Sequence, residues 1–107
     1  MPDRGEYSAR MSAYIVYQAE VIDPSRYDAY KTEASAAIAA AGGRYIVRGG
    51  ATEALEGAPP QGRTVIVEFP TMQEAIDWYH GPAYSAARKL REGVAKVHTL
   101  FIVEGMA

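Results

Sequence analysis

Three features of the chain predict an α+β fold in the order β-α-β-β-α-β. Four stretches alternate apolar residues at the two-residue period of a strand, and two longer ones repeat them at the three- and four-residue spacing of a helix. Glycine, proline or a capping residue marks the changes of period. One β-α-β unit is then used twice, and two amphipathic helices must bury their stripes on one face of a four-stranded antiparallel sheet, the ferredoxin-like sandwich. A chain of 107 residues, 49% hydrophobic, is long enough for one such core and too short for a second domain.

Residues 1–10 are polar and patternless, so a flexible N-terminal extension over 1–11 is expected, with Met11 as the true start and one domain over 12–107. From Ser12 to Ile22 the alternation gives a first strand. Asp23-Pro24 then reads as an N-cap followed by proline at the first helical position, where its missing N–H costs nothing. The helix runs to about Ala41, and Tyr27, Tyr30, Ala34, Ala37, Ile38 and Ala41 form its buried stripe. Gly42 and Gly43 end it, the chain leaving through a positive φ that glycine alone adopts without strain.

Arg44 to Arg48 forms a second strand, with Arg44, Ile46 and Arg48 on one face and Tyr45 and Val47 on the other. A polar, proline-broken connection follows over 51–61, and a third strand runs from Gly62 to Phe69. Pro70 stops it, and Thr71 to Glu74 is a capping-box pattern that opens a helix carrying Met72, Ala75, Ile76 and Tyr79 along one side. His80-Gly81-Pro82 must break that helix, since proline lacks the donor that an unbroken turn needs. A second helical piece extends from Ala83 to about Glu92, and Lys96 to Glu104 forms the last strand.

Odd-numbered strand residues are mostly apolar and are expected to meet the helices: Ile15, Tyr17, Val21, Tyr45, Val47, Val65, Val67, Phe69, Val97, Phe101 and Val103. The even-numbered face also carries Val16, Ile22, Ile46, Ile66, Leu100 and Ile102 with Tyr14, which is more apolar surface than a solvated sheet needs. Two such sheets packed face to face would bury it. A homodimer through the even-numbered face, forming a dimeric α+β barrel, is the expectation; the alternative is that a terminal segment covers it.

Several functions are disfavoured at once. A formal charge of -2 gives no basic stripe for nucleic acid. Without cysteine there is no disulfide, thiolate metal site or cysteine nucleophile. No apolar run is long enough to span a bilayer, and residues 1–10 lack a signal-peptide centre, so a cytoplasmic protein is expected. No phosphate loop, nucleophile elbow or dinucleotide fingerprint is present. Neither His80 nor His98 has partners at metal-ligand spacing, and no metal or cofactor is expected.

The polar residues of the even-numbered face are the candidates for chemistry. With the first and third strands expected to run parallel at the centre, Gln18, Glu20 and Glu68 share one rim, and Arg44 and His98 reach it from the other two strands. A carboxylate, an imidazole and a guanidinium around one cavity could hold an anionic substrate and move a proton, with Arg48, Glu68 and His98 as the catalytic candidates. Against this, Arg44 and Glu68 can pair across the hairpin, which is the favoured reading for those two. Arg48 either holds a carboxylate ligand, pairs with an acid across the dimer such as Glu104 of the partner subunit, or meets solvent at the barrel mouth, and His98 reads more readily as structural. Tyr14, Arg44, Trp78, Tyr79 and Tyr84 are candidate ligand contacts, the last three because they flank the helix break and could wall a small apolar or aromatic ligand.

The runs Gly42 to Gly50, Arg63 to Pro70 and Trp78 to Tyr84, with Arg88, Leu90 and Arg91, closely resemble the bacterial family called domain of unknown function thirteen-thirty. The resemblance covers Tyr14 to Gly105 and implies a dimeric α+β barrel, in a superfamily that includes muconolactone isomerases and antibiotic-biosynthesis monooxygenases. Family members commonly carry serine before the helix-break proline and glutamate after it; Gly81 and Ala83 stand there instead, which removes a hydroxyl and a carboxylate. The family supplies no activity. The sequence therefore predicts a small protein that binds or transforms an organic acid, lactone or aromatic metabolite without a cofactor, or a non-catalytic homodimeric binding or stress-associated module.

Overall fold

A computed structural model describes residues 10–106, so the extension expected over 1–11 falls almost wholly outside the described residues. The elements are β1 (Ala13–Val21), α1 (Pro24–Ala40), β2 (Arg44–Arg48), β3 (Arg63–Phe69), α2 (Met72–His80), α3 (Pro82–Arg91) and β4 (Ala95–Glu104). The expected caps form. Asp23 Oδ1 accepts from the Arg26 amide at 3.2 Å, and Thr71 Oγ1 accepts from the Glu74 amide at 3.1 Å. Gly81 divides the second helical stretch, its carbonyl accepting from the Ser85 amide at 3.1 Å while Pro82 opens α3.

The sheet has the order β2-β3-β1-β4, and its neighbouring strands are all antiparallel. The central pair β1 and β3 is therefore antiparallel, which corrects the parallel arrangement expected from sequence. Tyr14 lies opposite Glu68, and Gln18 opposite Thr64. Glu68 and Glu20 accordingly sit at opposite ends of the sheet, and the single rim expected to unite Glu68, Arg44 and His98 does not exist.

Ala13, Ile15, Tyr17 and Ala19 of β1, with Val65, Val67 and Phe69 of β3, are buried against Tyr27, Tyr30, Ala34, Ala37 and Ile38 of α1 and Trp78, Tyr84 and Ala87 of α2 and α3. That is the expected odd-numbered face of the central strands and the expected stripe of α1. The two edge strands depart from it, because each contains a bulge that reverses the parity of every residue beyond it. In β2 the register passes from Tyr45 opposite Val67 to Val47 opposite Ile66, leaving Ile46 as the extra residue. Val47 thereby joins the open-face row, and Arg48, opposite Val65, turns to the helix side. In β4 the extra residue is His98, between the Ala19–Val97 and Gln18–Thr99 pairs. Beyond it Leu100 and Ile102 pack on the core, while Phe101 and Val103 are 50% and 47% exposed. The open face is still apolar, now with Val16, Val47, Ile66, Phe101 and Val103.

Candidate functional site

The open face holds a polar triad and a polar pair. Arg44, Glu68 and Tyr14 form one row across β2, β3 and β1. Arg44 Nε lies 2.7 Å from Glu68 Oε1, and the Tyr14 hydroxyl donates to Glu68 Oε2 at 2.9 Å. The Arg44 guanidinium and then the Tyr14 hydroxyl hold the Glu68 carboxyl below the usual carboxylate range, while bonding to Glu68 pushes the Tyr14 phenol up. Glu68 is thus a committed ion-pair partner, in line with the favoured cross-hairpin reading. At the other end of the sheet His98 Nε2 meets Glu20 Oε1 at 2.6 Å. Among the described residues no group of three or more histidine or acidic side chains is placed to hold a metal ion.

The helix side of the sheet is where the donors gather. A cavity of about 40 Å³ lies between the sheet and the helices, lined by Tyr17 of β1, Tyr27, Tyr30 and Lys31 of α1, Arg48 of β2, Arg63 of β3, Trp78 of α2 and Tyr84 of α3. No carboxylate lines it. Arg48 sits at its mouth, donating through Nη2 to Ser35 Oγ at 2.9 Å and stacking 4.3 Å above the Tyr45 ring. Two donors here, Arg63 Nε and Trp78 Nε1, are buried without a protein partner. Such groups carry a desolvation penalty of about 1–3 kcal/mol until an acceptor reaches them.

Behind the cavity the tyrosines are joined. The hydroxyls of Tyr17 and Tyr27 are 3.0 Å apart, those of Tyr30 and Tyr84 are 2.6 Å apart, and Arg91 Nη1 donates to Tyr84 at 2.7 Å. Burial is the leading cause that pushes the Tyr17, Tyr30 and Tyr84 phenols up. Tyr79 is elsewhere. It lines an open cleft along β4 with His98 and Arg91, and its hydroxyl accepts from Arg88 Nη1 at 2.7 Å.

The eight residues singled out from sequence therefore fall into three places. Tyr14, Arg44 and Glu68 are together on the open face, His98, paired with Glu20, lines the β4 cleft with Tyr79, and Arg48, Trp78 and Tyr84 meet at the helix-side cavity. Sequence reasoning missed Lys31, Arg63 and Arg91 and treated Tyr27 and Tyr30 as packing alone. A signal for Arg91 was present, since Tyr84, Ala87 and Arg91 fall on one helical stripe. Arg63 shares the odd parity of Val65 and Val67 and pairs with buried Ala19.

An antiparallel four-stranded sheet with helices packed on one face defines a ferredoxin-like α+β protein. The chain belongs to the family described as domain of unknown function (DUF1330), which it matches over residues 12–106. Solved structures agree on the fold. The chain is similar to a protein of unknown function from Rhodopseudomonas palustris at 15% identity and a TM-score of 0.71, covering 97% of this chain and 88% of that one. It is also similar to a Bacteroides thetaiotaomicron protein described as a possible oxidoreductase, at 14% identity, TM-score 0.58 and coverage of 92% and 100%. A candidate antibiotic biosynthesis monooxygenase from Nitrosomonas europaea matches at 15% identity and TM-score 0.50, with 94% and 95% covered. Comparison with curated proteins gives no match. Among the described residues no helix is long and apolar enough to cross a membrane.

Proposed function

We propose that this protein binds a small organic acid, lactone or aromatic metabolite in the helix-side cavity, with no resident cofactor, in the cytoplasm. The observation that carries this reading is the pair of buried, unpartnered donors, Arg63 Nε and Trp78 Nε1, on two residues that line one cavity. The enclosed space has room for a group the size of a few waters. A carboxylate or carbonyl head would enter it, and the remainder of the ligand would lie at the mouth beside Lys31, Tyr45 and Arg48. Support for a homodimer through the open sheet face comes from exposed Phe101 and Val103.

A second reading, binding without turnover, is favoured by the fate of the acid-base candidates. Glu68 and Glu20 are held in pairs on the opposite face, so the cavity lacks a carboxylate to serve as general base.

The test is a thermal-shift screen of small carboxylates, lactones and phenols on the native protein, Arg63→Met and Arg48→Ala. A ligand that binds only the folded chain raises its melting temperature with occupancy. Hits that disappear in Arg63→Met place the ligand in the cavity, and hits consumed on incubation identify an enzyme. Hits unaffected by both substitutions would move the site elsewhere.

A further inference from the structure

The helix-side cavity holds more hydrogens to donate than oxygens to receive them. A pair of bonded hydroxyls has two hydrogens and uses one, so Tyr17–Tyr27 and Tyr30–Tyr84 each keep one O–H to give. Arg91 adds to the surplus, because it occupies oxygen lone pairs on Tyr84 at 2.7 Å and on Tyr30 at 3.5 Å without accepting a hydrogen. The N–H groups of Arg63 and Trp78 add two more donors without partners.

Charge follows the same pattern. Among the described residues Arg48, Arg63 and Arg91 form no ion pair with a carboxylate; they lie over the rings of Tyr45, Tyr27 and Tyr17. Lys31, at the cavity mouth, pairs at 3.5 Å with Asp28, whose side chain is largely exposed and does not line the cavity. Glu20 and Glu68 are held across the sheet. Since burial pushes the Tyr17, Tyr30 and Tyr84 phenols up, they remain donors at neutral pH, and a negative charge in this space must come from the ligand.

We propose that the cavity is an oxyanion pocket, which takes a small oxygen acid (a carboxylate, phenolate or enolate) in its ionised form in preference to its neutral form. Trp78 and the Tyr30–Tyr84 pair supply the hydrogens, and Arg91 is a positioning residue that fixes the pair. This rests on the ligand-binding reading above and adds the charge state that the site selects.

The probe is para-nitrophenol, whose anion absorbs visible light, with para-nitroanisole as a neutral mimic of the same shape. Titration across neutral pH is expected to show bound dye ionising at lower pH than free dye, the anion held at least about tenfold more tightly than the neutral form, one unit of pKa. Tyr84→Phe, which retains the ring, is expected to reduce that preference severalfold with an unchanged circular dichroism spectrum, and Arg91→Met is expected to do the same. Trp78→Phe supplies an independent variant if Arg91→Met fails to fold. Dye bound with unchanged ionisation, or para-nitroanisole bound as tightly, overturns the oxyanion pocket and leaves the binding reading standing. No binding by the dye, its ether or any acid in the screen overturns both.

Discussion

A Cβ on Gly43 would lie 2.8 Å from two ring carbons of Phe69 and 2.9 Å from Ile38 Cγ2. Phe69 is fully buried and Ile38 nearly so, and neither can move aside. Gly43 is therefore required by close approach, and the positive φ expected there belongs to Gly42, at 83°. Gly43→Val is expected to destabilise the fold by about 1–3 kcal/mol through overpacking, read by chemical denaturation; a neutral result would contradict the packing at the end of α1. Both glycines were legible in sequence as a helix stop, but which was needed for what was not, since the second reason depends on a ring that arrives from β3. The pairing of Arg44 with Glu68 was legible because hairpin register alone brings them opposite. Arg63 was not: an arginine at the start of a strand reads as solvated, and only the burial of its partner Ala19 shows that it is drawn inward.

The central strands and α1 followed from periodicity because each has one apolar face and one mixed one. The edge strands did not, and β4 shows why. Val97, Leu100, Phe101, Ile102 and Val103 are apolar in both parities, so alternation cannot locate a one-residue insertion at His98. In β2 the bulge at Ile46 decides where the candidate site lies, because it carries Arg48 from the open face to the cavity mouth. Removing the inserted residue would leave Tyr45 opposite Val67 and Arg48 opposite Val65 in an unbroken ladder. Deletion of Ile46 is expected to retain a cooperative thermal transition, whereas deletion of Ile66 from central β3 is expected to abolish it. Loss of folding in both would show that the bulge is needed for the edge itself.

The two sides of the sheet differ in chemistry as well as in packing. Acids are tied up on the open face, and on the other side the arginines lie over tyrosine rings. An open face that remains apolar after reassignment of its edge strands should pair with a second copy. Light scattering is expected to give a dimer at micromolar concentration and a monomer for Phe101→Asp; a native monomer would refute the pairing. Alkaline pH tests the other layer. Tyr17, Tyr30 and Tyr84 have phenol pKa values raised by folding, so above about pH 10, the ordinary phenol value, the unfolded chain releases protons that the folded chain retains. The contribution of these phenols should be level below that pH and stability should fall above it, with tyrosinate absorbance appearing together with loss of helical circular dichroism. Tyrosinate that appears well before unfolding would mean that these phenols are open to solvent.

Trp78 is the sole tryptophan of the 107 residues. Its ring lies 4.1 Å from that of Tyr84 and 5.2 Å from that of Phe69, and it is only 6% exposed. The wall of the cavity is consequently a built-in fluorophore. Light absorbed by the surrounding tyrosines is passed to one indole, and that indole reports from the place where a ligand would sit. An acceptor that takes its N–H should move the emission to longer wavelength, so occupancy can be followed on the unlabelled protein in a cuvette, before any reaction has been identified.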